Sequence, residues 1–389
     1  MAHVWRLIGP LKFVMQAFAS PYVVLEDASL GGALLFDQPE AIIVARHPGE
    51  VDAAFAEMDK ARQGGLHLVG YAAFELGYVL EPHFGANFHQ PKVPYLLFGA
   101  FKTPKAFDWS LITPSTQAVS LVADWSYAHY QARIGQVLDY IRSGDVYQIN
   151  LTFPMRGRFQ GDPLALFAAM RRRQPVTLGG VIALDDQTIL SASPELFFTV
   201  RGREISAKPM KGTAPRSKNP LEDAKIAAAL QASIKDRAEN VMIVDLLRND
   251  LSRLSRVGSV KVPKLFEIES YPTLHQMTST VTAELHPNLS LRDIFAGLFP
   301  CGSVTGAPKI RAMEIIHQLE PEARGAYCGS IGHISPNGDM QFNVAIRTAT
   351  LRGEDLVFNA GSGVVYDSDA KSEWDECHLK ASFMSKISG

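Results

Sequence analysis

Four carboxylates in this sequence are spaced for a shared task. Asp236 and Glu239 are three residues apart in SIKDRAENVMIVDLL, and Glu373 and Glu376 are three apart in KSEWDECHLKA. Residues at i and i+3 share a helix face, so each segment, if helical, presents two acids to one point. Two such helices facing each other would make an oxygen-rich site suited to Mg²⁺. Spacing alone leaves a plainer alternative open, because acids at a helix start also serve as dipole partners and surface charges. Lys380 lies four residues after Glu376. It is either a simple surface partner or a cation placed to meet an anionic ligand on that face.

Lys211, in ISAKPMKGTAPRSKNP, stands beside a Gly-Thr pair. It can be a solvated loop charge, a phosphate clamp or a nucleophile. The clamp finds no support in CGSVTGAPKIRAMEII, where a glycine turn precedes a helix pattern. A phosphate loop needs G-x-x-x-x-G-K-[ST], and here Lys309 is followed by neither Ser nor Thr. Gly361-Ser362-Gly363 reads as a flexible turn whose amides could meet a carboxylate. Glu195, in SASPELFF, follows a proline in an apolar stretch. Burial there would raise its pKa and suit it to general-acid work, or it pairs with an arginine at a strand end. His275 sits in an alternating, strand-like stretch, where a lone histidine is more often structural than catalytic.

These residues need elements to hold them. Residues 1 to about 115 alternate short β-like runs (YVVLED, GALLFD, AIIVAR, LHLVGYAAFE, VPYLLFGAF) with Gly, Pro and Asp breaks, and one helix is expected near 50–63. KTPKAFDWSLITPSTQ is polar and proline-marked and is the expected boundary. Beyond it, helical and strand patterns interleave. Asn219-Pro220 and Ser233 are helix-start signals, and a helix is predicted from about Lys235 to Leu251. Many strands first and helices later predict an α+β fold rather than a βαβ series.

The composition narrows the function classes. The 389 residues are 47% hydrophobic and 20% charged, with a formal net charge of −2. That balance points neither to nucleic acid nor to a disordered chain. The three cysteines, Cys301, Cys328 and Cys377, are dispersed and form no C-x-x-C pair, which fits reduced thiols. The opening stretch is broken by Arg6, Pro10 and Lys12, too interrupted for a membrane span. The expectation is a cytoplasmic protein acting on neither nucleic acid nor membrane.

In order along the chain, SPELFF, KPMKGTAPR, ENVMIVDLLRNDLSRL, ESYPTLHQMTSTV, FPCGSVTGAPKIRAMEII, RGAYCGSIG, AIRTA, GSGVVYDSD and EWDECHLKA resemble the motif series of the chorismate-binding enzymes. The resemblance is dense from about residue 120 to the end and thin before that. It implies a chorismate-utilising fold of two antiparallel sheets packed as a β-sandwich flanked by helices. Residues 1–115 would be its N-terminal β-rich part, on the partner or regulatory side, and residues 120–389 the catalytic core. By position, the resemblance makes Glu239 and Glu376 the Mg²⁺-binding glutamates, with Asp236 and Glu373 as auxiliary acids. Tyr327, Arg347, Lys380 and Gly361, Ser362 and Gly363 would grip the substrate carboxylates. His275 matches an active-site histidine, Thr213 a substrate-contacting threonine, and Ser303 and Thr305 fall in the loop that shapes the pocket.

Lys211 bears on the branch. The anthranilate, isochorismate and salicylate branches typically carry alanine there, and the aminodeoxychorismate branch lysine. The resemblance therefore implies amination of chorismate at C4, with Lys211 as covalent nucleophile and Glu195 as acid. Ammonia would come from a separate glutamine amidotransferase subunit in a heterodimer, because no cysteine here sits in a glutaminase setting. Product would go to para-aminobenzoate and folate, or to a secondary metabolite. The rivals are a sister anthranilate or isochorismate synthase, a non-catalytic carboxylate-binding regulatory protein, and a pyridoxal-phosphate enzyme built on Lys211. Leu25-Glu26-Asp27-Ala28 and Gln174-Pro175-Val176-Thr177-Leu178 depart from the family's tryptophan-contact motifs, so no tryptophan inhibition is expected.

Overall fold

A computed structural model of the chain describes residues 20–27, 32–85, 88–175, 177–271 and 274–385. The opening stretch discussed above, Ala28 and Val176 lie outside the described residues. Among the described residues, two ten-stranded antiparallel sheets carry the fold. In the first, the longest pairing is Gln148–Arg158 with Asp355–Val364, near one edge, in register from Asp355↔Arg158 to Val364↔Ile149. The sheet continues through Thr348–Arg352, Gln187–Ser191 and Gly180–Ala183 to Tyr22–Asp27, Gly32–Asp37 and Lys105–Phe107. The second begins at Met210–Pro215 and Leu274–Glu284 and ends at His67–Ala72, Leu96–Phe101 and Ala41–Ala45.

Successive side chains of a strand point to opposite faces, and both faces of these strands are buried: Val23 and Leu25 enter one apolar cluster and Val24 another. Val23, Leu25, Phe36, Ile182 and Ile189 of the first sheet meet Val69, Tyr71, Leu97, Phe101 and Ile331 of the second in one buried cluster. The two sheets are thus packed face to face as a sandwich. A larger apolar cluster extends beneath the helices, and the helix expected near 50–63 is Val51–Gln63.

The segment expected as a boundary is itself structured. Lys105–Phe107 pairs with Gly32–Asp37 at the edge of the first sheet. Strands from before residue 115 lie in both sheets, hydrogen-bonded to strands from after it: Tyr22–Asp27 to Gly180–Ala183, and His67–Ala72 to Ser330–Ile334. Polar, proline-marked composition signals a turn, and that turn lies within one pair of continuous sheets.

Both helix starts are capped as their sequences predict. The Asn219 side chain accepts from the Leu221 and Glu222 amides, opening the helix Pro220–Ala232. The Ser233 side chain accepts from the Asp236 amide, opening Ile234–Ser252. Each cap satisfies backbone donors that the first turn leaves unpaired. Among the described residues, no helix is long and apolar enough to cross a membrane.

Candidate active site

One end of the sandwich holds a cavity of about 970 Å³ lined from both sheets and from helices. The lysine strand reaches it through an irregularity. Met210–Pro215 pairs with Leu274–Glu284 with a register shift between Met210 and Thr213. Gly212 there has φ +83, a left-handed conformation that glycine adopts at little cost. A β-bulge of this kind re-aims a side chain, and Lys211 lines the cavity. The strand therefore carries Lys211 in a bulge rather than in an exposed turn.

The two acid pairs converge as their spacing predicts. Asp236 and Glu239, from Ile234–Ser252, line the cavity together with Glu373 and Glu376, from Ala370–Ser385. Burial raises the Glu239 pKa; Lys211 and Lys235 pull it down, and Asp236 and Glu373 push it up. The two helices thus place their acids within electrostatic reach of each other. Lys380 Nζ donates to Glu376 Oε1 at 2.6 Å and to the Gly361 carbonyl at 2.9 Å, so it joins the helix Ala370–Ser385 to the strand Asp355–Val364.

Glu195 is 5% exposed, and its Oε1 has no hydrogen-bond partner. Burial raises its pKa; the Ser303 hydroxyl bond and the charges of Lys211, Lys380 and Arg347 act in the opposite direction. A buried carboxyl with an open oxygen can hold a proton and pass it to a ligand. Arg347 lines the cavity in a left-handed conformation (φ 51), with its pKa lowered by burial. Tyr327 and Ser303 also line the cavity and are buried; Thr213 lines its exposed rim and donates to Gln276 Oε1 at 3.0 Å.

Three expected site residues do not line the cavity. His275 is buried behind the wall, its Nδ1 2.8 Å from Ser270 Oγ and its Nε2 2.9 Å from Asp223 Oδ1. Strand alternation gives the cavity to its neighbours Leu274 and Gln276. Thr305 is buried and donates to the Cys301 carbonyl. Ser362 is also turned away, 3.1 Å from Tyr130 Oη. Its stretch is strand and not the expected turn: Gly361, Ser362 and Gly363 pair with Thr152, Leu151 and Asn150. A side-chain carbon at Gly361 would sit 2.6 Å from Thr152 Cγ2 and 2.7 Å from the Leu151 carbonyl. Glycine is needed there for close packing.

Gln148 has the strongest unassigned signal beside the lysine. It is fully buried, and both its amide atoms lack hydrogen-bond partners. Its amide carbon and Lys211 Nζ lie 3.4 and 3.3 Å from where a side-chain carbon on Gly363 would be. The alternating strand pattern of VYQINLTF could have marked Gln148 as inward-facing, but not what it faces. Two other lysines of the motif series are committed to acids elsewhere. Lys208 pairs with Glu269, and Lys309 with Asp250 at 2.6 Å.

A family model described as chorismate binding enzyme matches residues 110–386. The chain belongs to the chorismate-binding enzymes. This chorismate-binding enzyme is 43% identical over 261 residues to aminodeoxychorismate synthase component 1 of Escherichia coli (strain K12), covering 66% of this chain and 58% of that relative. It is 39% identical over 269 residues to the protein of the same name from Bacillus subtilis (strain 168), covering 69% and 57%. Anthranilate synthase component 1 of Saccharolobus solfataricus is 40% identical over 251 residues, covering 64% and 60%. The matched region spans less than two thirds of each of these relatives. The fold is that of anthranilate synthase component I from Streptococcus pneumoniae TIGR4, with a TM-score of 0.79 over 98% of this chain and 96% of that one at 24% identity.

Proposed function

We propose that this chorismate-binding enzyme aminates chorismate to 4-amino-4-deoxychorismate in the cytoplasm, for para-aminobenzoate and folate synthesis. The observation that carries the reading is Lys211 on its bulge, lining one cavity with Glu195 and four helix-borne carboxylates. The relatives named aminodeoxychorismate synthase component 1 support it. The word component in their names supports a second subunit, here a glutamine amidotransferase that supplies ammonia in a heterodimer.

The acids suit Mg²⁺, with Glu239 and Glu376 as the direct holders and Asp236 and Glu373 beside them. Among the described residues, no three His, Cys, Asp or Glu side chains form a ready-made metal cluster. Mg²⁺ is commonly held by one or two carboxylates plus water and substrate oxygens, so a pair of glutamates fits. When bound, the ion would offset the charge of the ring carboxylate.

The chain's own residues divide the remaining work. Arg347 and Tyr327 bind the second carboxylate, and Lys380 and the Gly361–Gly363 strand fix the ring. The neutral Lys211 amine attacks C2. The ring double bonds shift, the C4–O bond breaks, and the hydroxyl leaves as water with the proton of Glu195. Ammonia then adds at C4, the double bonds shift back, the C2–N bond breaks to restore the lysine, and a proton of the new ammonium returns to Glu195. The enolpyruvyl group stays attached throughout. His275 acts from behind the wall by fixing the strand that carries Gln276 and pairs with the lysine strand.

The experiment is mass spectrometry of products from chorismate, Mg²⁺ and ammonia, with intact-protein mass to catch a Lys211 adduct. Aminodeoxychorismate and an adduct are expected. Unchanged product from Lys211→Ala would remove the nucleophile role, and anthranilate from that variant would mark Lys211 as the branch switch. If neither ammonia nor a glutaminase supports any product, the reading fails.

A further inference from the structure

Behind the cavity lies a charged cluster that the proposed chemistry does not use. Glu75, Glu320 and Arg324 are 2%, 4% and 5% exposed. The Arg324 guanidinium takes Glu320 side-on, Nε to Oε2 at 2.8 Å and Nη2 to Oε1 at 2.6 Å. Its remaining reach goes to two carbonyls, Nη1 to Val304 at 2.7 Å and Nη2 to Asn150 at 2.6 Å. Glu75 holds the backbone beneath it, accepting from the amides of Arg324 at 2.6 Å and Gly325 at 3.0 Å. Glu320 also accepts from the Thr152 amide at 2.8 Å. The Phe74 ring covers the guanidinium, 4.4 Å from centroid to Cζ.

Three cavity walls meet at this side chain. Asn150 lies on the strand Gln148–Arg158, Val304 follows Ser303 in the pocket loop, and Tyr327 is three residues beyond Arg324; all line the cavity. Burying an ion pair and a further carboxyl is costly unless each group is hydrogen-bonded, and such a fully bonded arrangement is rigid. Lysine cannot replace the fork, because four directed bonds in one plane need a guanidinium.

We propose that Arg324 is a positioning residue of this site, clamped by Glu320 and seated on Glu75, which locks the Asn150, Ser303–Val304 and Tyr327 walls into the shape that receives substrate. As a statement about substrate it rests on the chorismate reading above. As a statement about the wall it can be tested separately.

The three cysteines report on the wall. Cys301 opens the pocket loop, and Cys328 Sγ lies 3.8 Å from Asn150 Nδ2. Cys377 lies apart, beside Tyr130, and all three are buried. Native-state thiol labelling, resolved by peptide mass spectrometry, should be slow at all three in the parent protein. In Arg324→Lys it should accelerate about tenfold or more at Cys301 and Cys328 with Cys377 little changed, the mark of local opening. The chorismate KM should rise about tenfold with a smaller change in kcat, as lost substrate positioning requires. Glu320→Gln, a milder change, should show the same pattern more weakly, and it serves if Arg324→Lys does not fold. Equal acceleration at all three thiols, or none, overturns the proposal. A parent protein that turns over no chorismate would sink the functional reading, while the labelling still decides the wall.

Discussion

Gly212 is packed against Asp236 so closely that a side-chain carbon on residue 212 would lie 2.9 Å from the aspartate Cβ, Cγ and Oδ1. The bulge that aims Lys211 therefore rests on the first turn of the helix Ile234–Ser252. Gly212→Ala introduces both this clash and the strain of a left-handed alanine, together about 1–3 kcal/mol. Urea denaturation should show a lower midpoint, and product formation should fall more steeply than stability. Full activity in Gly212→Ala would separate the bulge from the chemistry.

The buried Glu195 sets a pH arm. Its pKa is raised by burial, so its proton persists above the usual carboxylate range and is lost as pH rises. Activity should fall on the alkaline side of that value. Glu195→Gln should lose about 10²–10⁴ in kcat along with that arm. Ser303→Ala removes a bond that favours the carboxylate, so it should move the arm to higher pH. A pH–rate profile of each variant checks both, and an arm unmoved by either change assigns it to another group.

Glu75 links stability to pH in the opposite sense to an ordinary paired carboxylate. Burial raises its pKa to about 7, against the pull of two backbone amides and Arg324. The folded state then holds a proton that the unfolded chain releases near 4.5. Stability attributable to this group falls as pH rises from about 4.5 to about 7 and is flat beyond, a total of about 3 kcal/mol. Glu75→Gln cannot titrate. The stability of the parent minus that of the variant should therefore increase as pH is lowered through this window, measured by chemical denaturation. A constant difference would show that Glu75 titrates normally.

Tryptophan at micromolar concentration should leave activity unchanged. The space beside Leu25, Glu26 and Leu178 is about 20 Å³, room for about one water. Glu26 is buried there and ion-paired with Arg171. Inhibition, or a thermal shift on adding tryptophan, would mean that the sandwich opens at this point.

The periodic features were legible in the residue order. The i, i+3 acid pairs, the Asn219 and Ser233 caps and the alternating strands are set by local geometry, so spacing reports them. The residue order also marked Lys211, because a single side chain's chemistry needs no neighbours to be noticed. Which faces meet was set by the folded packing. Gly361 and Gly363 read as a turn, but both lie in a strand, and at Gly361 the neighbouring strand approaches too closely for a side chain. His275 and Ser362 match site positions in sequence, yet strand alternation turns them from the cavity. The Glu75–Arg324–Glu320 cluster joins residues 249 positions apart between Glu75 and Arg324, and Gln148 gains its place beside Lys211 only when two sheets close on each other. Buried polar groups acquire their meaning from partners distant in the chain, and a one-dimensional pattern carries no record of those partners.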